Sequence, residues 1–137
     1  MKTRSVVVVD SDVRLLDQIS ALLDSTHTVL ATADPRRAVT WLHNDVTVSA
    51  VIVSQVLRGS NGLDLLVEAQ RLRPDARRIL IANYEDLASI IPSLHSGVVQ
   101  RTISKPIDSR ELVGLMRIGP VAPRQGIGGV SAIARAG

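Results

Sequence analysis

The fold is decided by VSAVIVSQVLRGSNG, residues 48–62. Residues 48–53 are an apolar run rich in β-branched side chains, which predicts a buried strand of a parallel sheet. Residues 58–62 have the composition of a loop. Ser54 follows the run, so its side chain is predicted to stand at the carboxyl edge of the sheet. Because ligands bind at that edge in open α/β sheets, we expect the functional site around Ser54.

Length and composition predict one globular domain with an aliphatic core. The chain has 137 residues, 45% hydrophobic and 21% charged, which is ordinary for a single domain. Trp41 and Tyr84 are its only aromatic residues, so the core must consist of Val, Leu, Ile and Ala. The scarcity of aromatic residues disfavours base stacking on nucleic acid. The absence of cysteine excludes disulfides and thiolate metal sites.

Charge and hydropathy bear on the partners and the compartment. The net charge of +3 is compatible with an acidic partner. The arginines are scattered along the sequence, which predicts a solvated surface rather than a nucleic-acid-binding patch. No apolar run reaches the roughly 18 residues of a membrane span, and the run near the N-terminus is too short for a signal peptide. We therefore expect a cytoplasmic protein that does not contact the membrane.

Strands and helices are predicted to alternate along the chain. The predicted strands are residues 4–9, 28–31, 48–53, 78–82 and 98–104, and the predicted helices are residues 13–24, 35–44, 63–72, 86–94 and 108–118. Asp86 is the expected cap of the fourth helix, and Pro92 in its interior predicts a short or kinked helix. Right-handed crossovers make this order a doubly wound α/β fold, a parallel five-stranded sheet with helices on both faces. After this domain, residues 1–118, the Gly- and Pro-rich residues 119–137 are predicted to be a flexible tail.

Several polar side chains are predicted to meet at the carboxyl edge of this sheet. Residues 10–12, Asp-Ser-Asp, follow the first strand, Ser54 follows the third, and Lys105-Pro106 follows the fifth. We expect an ion pair between Asp10 and Lys105. Asp10 and Asp12 could supply part of a Mg²⁺ site, although that ion needs six oxygen ligands. The alternative, in which Asp10 only pairs with Lys105 or caps a helix, stays open.

Residues 4–118 resemble a response-regulator receiver domain, the flavodoxin-like module of two-component signalling. The resemblance is carried by VVVVDSD at the end of the first strand, by Asn61-Gly62-Leu63, by ILIANYEDL and by SKPID, in that order and at the family's spacings. It implies the strand order 2-1-3-4-5. It also implies a role in signal transduction, within a two-component system or phosphorelay.

Carried over position by position, the receiver pattern is incomplete. The phosphoacceptor position falls on Ser54 instead of an aspartate, and the second member of the acidic pair falls on Ser11. The two switch positions fall on Ala82 and Thr102, and only Lys105-Pro106 is fully retained. A serine hydroxyl is a weak nucleophile without a base, whereas an aspartate is already ionised at neutral pH. These departures predict a degenerate receiver, or pseudo-receiver, that is not an enzyme and is not phosphorylated on aspartate.

Two hypotheses about function stay open. In the first, the domain acts through phosphorylation-independent protein–protein interaction, without a cofactor, and its partner is a signalling protein or a second copy. The family pattern places its contact face on the fourth helix, fifth strand and fifth helix, at Tyr84, Leu87, Ile91, Leu94, Val99, Arg101 and Ile107. In the alternative, the domain is a residual receiver that binds Mg²⁺ through Asp10 and Asp12 and is phosphorylated at a non-standard residue.

Overall fold

The structure is a computed structural model that describes residues 4–117. In chain order its elements are β1 (Ser5–Val9), α1 (Val13–Leu23), β2 (Thr28–Thr32), α2 (Pro35–Asn44), β3 (Val48–Ser54), β4 (Val56–Leu57), β5 (Ser60–Asn61), α3 (Gly62–Leu72), β6 (Arg77–Ala82), a 3-10 helix (Tyr84–Ile90), α4 (Ile91–His95), β7 (Arg101–Ser104) and α5 (Ser109–Arg117). Strands β2-β1-β3-β6-β7 form one parallel sheet in that order. Since β6 and β7 are the predicted fourth and fifth strands, the predicted order 2-1-3-4-5 is confirmed.

The core lies on both faces of this sheet, because strand side chains alternate between the faces. Helices α1 and α5 cover one face, where Ile19 and Leu112 pack against Val8 and Ile79. Helices α2 and α3 cover the other face. The buried apolar side chains of residues 4–117 are all Val, Leu, Ile or Ala, as the composition predicts.

The helices begin at polar residues that accept backbone N–H groups. Asp12, Asp34 and Asn61 each accept from the residue two positions further on, over 2.8–3.0 Å. Asp108 does the same for Arg110 at the start of α5. The backbone N–H of Arg36 lowers the pKa of Asp34 because it stabilises the carboxylate. Each cap satisfies a backbone donor that the first turn of a helix leaves without an intrahelical partner.

The expected short or kinked form of the fourth helix is confirmed, but its predicted cap and the predicted interior place of Pro92 are wrong. Residues 84–90 are a 3-10 helix, and a separate short α4 follows it. Asp86 lies inside the 3-10 helix and is not its cap. Pro92 stands in the first turn of α4, where its missing N–H costs no helical hydrogen bond. Within this segment only Ile90 is fully buried, so few apolar contacts hold it against the sheet.

Two boundaries also differ from the predictions. Residues 58–62, expected to be a loop, include the turn and the second strand of the hairpin β4–β5, and Gly59 in that turn has a φ of 72°; this left-handed conformation suits glycine. Strand β7 begins at Arg101 instead of residue 98. The preceding residues bind Arg78 instead: its Nε donates to the Val98 carbonyl over 3.0 Å, and its backbone N–H donates to the Gln100 side chain over 2.8 Å.

Among residues 4–117 no helix is both long enough and apolar enough to span a bilayer. The predicted tail, residues 119–137, and the predicted end of the domain at residue 118 lie outside the described residues.

Candidate functional site

The site is built around Ser54, the last residue of β3. Only 2% of its surface is exposed. The parallel register pairs Val53 with Val9, so the residues that follow them, Ser54 and Asp10, reach the same edge of the sheet. The Ser54 hydroxyl donates a hydrogen bond to Asp10 Oδ2. The hydroxyl of Ser54, the predicted phosphoacceptor position, is therefore engaged by a protein carboxylate.

Asp10 is the centre of the polar network. It is 2% exposed, and a buried carboxylate is costly unless it is paired and hydrogen-bonded. Its Oδ1 accepts the backbone N–H of Asp12 over 2.8 Å. Its Oδ2, which accepts from Ser54, also lies 3.3 Å from Nζ of Lys105. The ion pair predicted between Asp10 and Lys105 is confirmed.

Ser11 and Asp12 are engaged with the backbone. Ser11 Oγ accepts the N–H of Arg58 over 2.8 Å, which ties the loop after β1 to the β4–β5 hairpin. Asp12 Oδ1 accepts the N–H of Arg14 at the start of α1 and lies 4.0 Å from the Nε of that arginine. The two positions beside Asp10 therefore organise the edge and the first helix.

Mg²⁺ takes near-octahedral oxygen ligands, and Asp10 and Asp12, the residues predicted to hold it, both make contacts within the protein. Both oxygens of Asp10 already accept hydrogen bonds, and the Lys105 ammonium stands against one of them. The carboxylate of Asp12 is engaged with α1. Across residues 4–117 no group of three or more His, Asp or Glu side chains is arranged to hold a metal ion.

The two predicted switch positions lie at different distances from the carboxyl edge of the sheet. Ala82 ends β6 and is buried, and its carbonyl accepts the N–H of Lys105 over 3.2 Å. It therefore lies at the edge, but it has no hydroxyl that could bind a phosphoryl oxygen. Thr102 is half-buried within β7, opposite Leu80, and so lies two residues back from the edge.

Two contacts that the sequence analysis did not predict shape the site. A Cβ at position 62 would collide with the Ser54 carbonyl, so α3 can start close against β3 only with glycine there. Gln55 joins the edge to the 3-10 helix, because its Nε2 donates to Ser89 Oγ over 3.3 Å. The Asn-Gly dipeptide at 61–62 was a signal for the first contact. Nothing in the sequence pairs Gln55 with Ser89.

The structure brings most of the predicted contact face to the surface. Tyr84 is 78% exposed and Ile91 47% exposed, while Leu94 and Arg101 are also exposed and Leu87 and Ile107 are half-buried. Val99 is wrong as a contact residue. It is 1% exposed and packs in the core with Ile90, and its backbone N–H donates to the Ser93 carbonyl of α4 over 3.1 Å.

The fold and this edge define a class of protein. A doubly wound flavodoxin-like domain, with an aspartate after the first strand and a lysine after the last, has the architecture of a signal receiver. Residues 6–117 match the response regulator receiver domain family. The chain belongs to this family, whose domains serve two-component signalling and are regulatory, and no enzyme family is indicated for it.

Relatives are regulators of transcription. The chain is 30% identical over 118 residues to the hydrogenase transcriptional regulatory protein HoxA of Cupriavidus necator, covering 85% of this chain and 24% of that protein. It is 26% identical over 117 residues to the DNA-binding transcriptional regulator NtrC of Azospirillum brasilense, again covering 85% and 24%. The chain thus spans about a quarter of these relatives.

A solved structure shows the same fold. The response regulator receiver domain protein (CheY-like) from Methanospirillum hungatei JF-1 superposes with a TM-score of 0.76 at 24% identity, covering 85% of this chain and 92% of that chain.

Proposed function

We propose that this receiver domain is a pseudo-receiver, which transmits signals through protein–protein contacts without phosphorylation at the phosphoacceptor position. The observation that carries the proposal is the hydrogen bond from the buried Ser54 hydroxyl to Asp10. To attack a phosphoryl group, the hydroxyl would need a base that removes its proton. The carboxylate that accepts this hydrogen bond is also paired with the ammonium of Lys105 over 3.3 Å, so the Ser54 hydroxyl and Asp10 belong to one network of protein groups.

The surroundings of Ser54 support the same proposal. Phosphoryl transfer needs positive charge, usually a metal ion, to offset the charge on the transferring oxygens. Here the carboxylates that would hold the ion are engaged within the protein, Asp10 by Lys105 and Ser54, and Asp12 by α1. Ala82 supplies no hydroxyl. At this edge, therefore, the acceptor position holds a serine, the carboxylates that would bind a cation are engaged within the protein, and the first switch position has no hydroxyl.

The proposed output is the exposed contact face, which we define as Tyr84, Ile91, Leu94 and Arg101. Three of these residues are apolar or aromatic and stand in a segment with few buried contacts. Such side chains are the usual anchors of a protein interface, and tyrosine and arginine are enriched among binding hot spots. Because, as proposed, no phosphoryl group adds charge at the Ser54 edge, the contact face keeps a single conformation. Its proposed partner is another signalling protein.

The test of the site uses the full chain and a matched variant. ¹⁵N-labelled protein is titrated with millimolar Mg²⁺ and then with beryllofluoride or acetyl phosphate, and amide shifts and intact mass are recorded. We expect no clustered shifts at Asp10, Ser54 or Lys105 and no phosphoryl adduct. The variant Ser11→Asp/Ser54→Asp restores both carboxylates and is expected to gain Mg²⁺-dependent shifts. Wild-type shifts at this edge, or an adduct mapped to it, would contradict the proposal.

The test of the contact face uses an exposed apolar residue elsewhere as its control. Ile91→Asp places a charge on the contact face, whereas Val67→Asp places one on the exposed side of α3. Sedimentation of each variant, alone and with a candidate signalling partner, reports association. We expect Ile91→Asp to lose the complex and Val67→Asp to keep it. Equal behaviour of the two variants would remove the contact face from the proposal.

A further inference from the structure

A cleft of about 300 Å³ opens at the carboxyl edge of the sheet. It is lined by Ser11 in the loop after β1, by Arg58 in the β4–β5 hairpin, and by residues 33–35 at the start of α2. The chain passes from β1 to β2 on one side of β1 and then to β3 on its other side, so the loops that follow β1 and β3 diverge here. Doubly wound sheets bind ligands at such a point.

Two hydrogen-bond donors of the cleft are left for a ligand. Arg58 is exposed, and its guanidinium is in none of the ion pairs formed among residues 4–117. Ser11 Oγ accepts the backbone N–H of Arg58 over 2.8 Å, so the proton of this hydroxyl is free to be donated. A guanidinium and a hydroxyl are both suitable donors to a carboxylate.

Asp34 supplies the opposite charge in the cleft. Its Oδ1 accepts the N–H of Arg36 over 2.9 Å and lies 3.4 Å from the Nε of that arginine. Neither contact uses Oδ2, and 47% of the side chain is exposed. Asp34 and Arg58 form no ion pair with each other. The cleft therefore presents a negative and a positive group that are separate from one another.

We propose that this cleft binds a small aliphatic α-amino acid. The ligand carboxylate pairs with Arg58 and Ser11, and the ligand ammonium group pairs with Asp34. Ala33 and Pro35, the apolar residues of the cleft, contact the ligand side chain. The volume of about 300 Å³ is at the lower limit for ligand pockets, so it suits a molecule of amino-acid size better than a nucleotide.

The bound ligand joins the loop after β1 to the hairpin and to α2. The first two of these segments already share the hydrogen bond between Ser11 and Arg58, which gives the cleft a fixed wall. The cleft uses neither the Ser54 hydroxyl nor Lys105. The amino-acid site and the pseudo-receiver proposal can therefore fail independently of each other.

The test compares probes that differ by one charged group. L-Alanine carries both groups, propionate lacks the ammonium group, and ethylamine lacks the carboxylate. Each probe is titrated at constant ionic strength into the ¹⁵N-labelled full chain. With L-alanine we expect saturable amide shifts at Ser11, Ala33, Asp34 and Arg58. We expect weaker binding of propionate and no saturable shifts at these residues with ethylamine.

Substitutions at two positions separate the charges of the cleft. Arg58→Gln should bind L-alanine about fivefold more weakly, the effect of one solvent-exposed ion pair, whereas Arg58→Lys keeps the charge and most of the affinity. Asp34→Asn keeps a capping side chain and should bind L-alanine and propionate equally. The matched control is Arg101→Gln, at an exposed arginine on the opposite edge of the sheet, and it should bind like the wild type.

Every other outcome overturns the proposal. Equal affinity of the wild type for L-alanine and propionate means that the ammonium group is not recognised. Equal weakening by Arg58→Gln and Arg101→Gln, both verified as folded by circular dichroism, means that binding follows net charge only. Wild-type affinity in Arg58→Gln, shifts outside the cleft, or shifts that do not saturate mean that the cleft is not an amino-acid site.

Discussion

Replacing Ser54 by alanine tests whether its hydroxyl is a structural donor. The substitution removes one hydrogen bond from Asp10 Oδ2 and leaves the carboxylate with Lys105 and the N–H of Asp12. A hydrogen bond to a charged group contributes about 1.5–3 kcal/mol to stability. Because Ser54 and Asp10 are both buried, water cannot readily replace the lost donor. We therefore expect the free energy of unfolding to fall by about 2 kcal/mol.

Urea denaturation followed by circular dichroism measures this loss, with an unchanged m-value showing that the native state is intact. Ser60→Ala, at an exposed serine, is the control and should stay within about 0.5 kcal/mol of the wild type. A double-mutant cycle with Asp10→Ala isolates the pair, and we expect a coupling energy of about 1.5–3 kcal/mol. If Ser54→Ala behaves like the control and the coupling energy is zero, the Ser54 hydroxyl is free, and the argument for an engaged acceptor position fails.

Three further predictions concern stability. Gly62→Ala should lower the free energy of unfolding, measured by urea denaturation, by about 3 kcal/mol or more, because the new methyl group would collide with the Ser54 carbonyl. The control Gly114→Ala adds a methyl group in open space on α5 and should not destabilise the protein. Arg78→Met should also lower the free energy of unfolding by about 3 kcal/mol, because the carbonyls of Val98 and Ala76 lose their guanidinium donor. A decrease of less than about 1 kcal/mol would contradict this prediction. Burial lowers the pKa of His27, so the unfolded chain binds the proton more readily, and stability should fall as the pH drops below about 6.5. His27→Gln should flatten that slope, and a wild-type melting temperature constant from pH 7.5 to about 5.5 would contradict it.

The sequence predicted the sheet well because its signals are local and strong. Residues 5–9 and 48–54 are apolar runs that must be buried on both faces, which defines central strands of a parallel sheet. The helix predicted from residue 35 begins there, with Asp34 as its cap, whereas Asn61-Gly62, interpreted as part of a loop, proves to be the start of α3. The ion pair between Asp10 and Lys105 followed from placing strand ends at one edge.

The differences arise where long-range contacts decide the local form. Residues 84–94 carry apolar side chains at helical spacing, but no side chain caps the start of the 3-10 helix or of α4. Ile90 is the only fully buried residue of this segment. The end of this segment is held by Arg78, whose guanidinium donates to the carbonyls of Gly97 and Val98 over 3.0 Å. A buried arginine satisfied by backbone carbonyls has no local sequence signature. The late start of β7 and the burial of Val99 both follow from it.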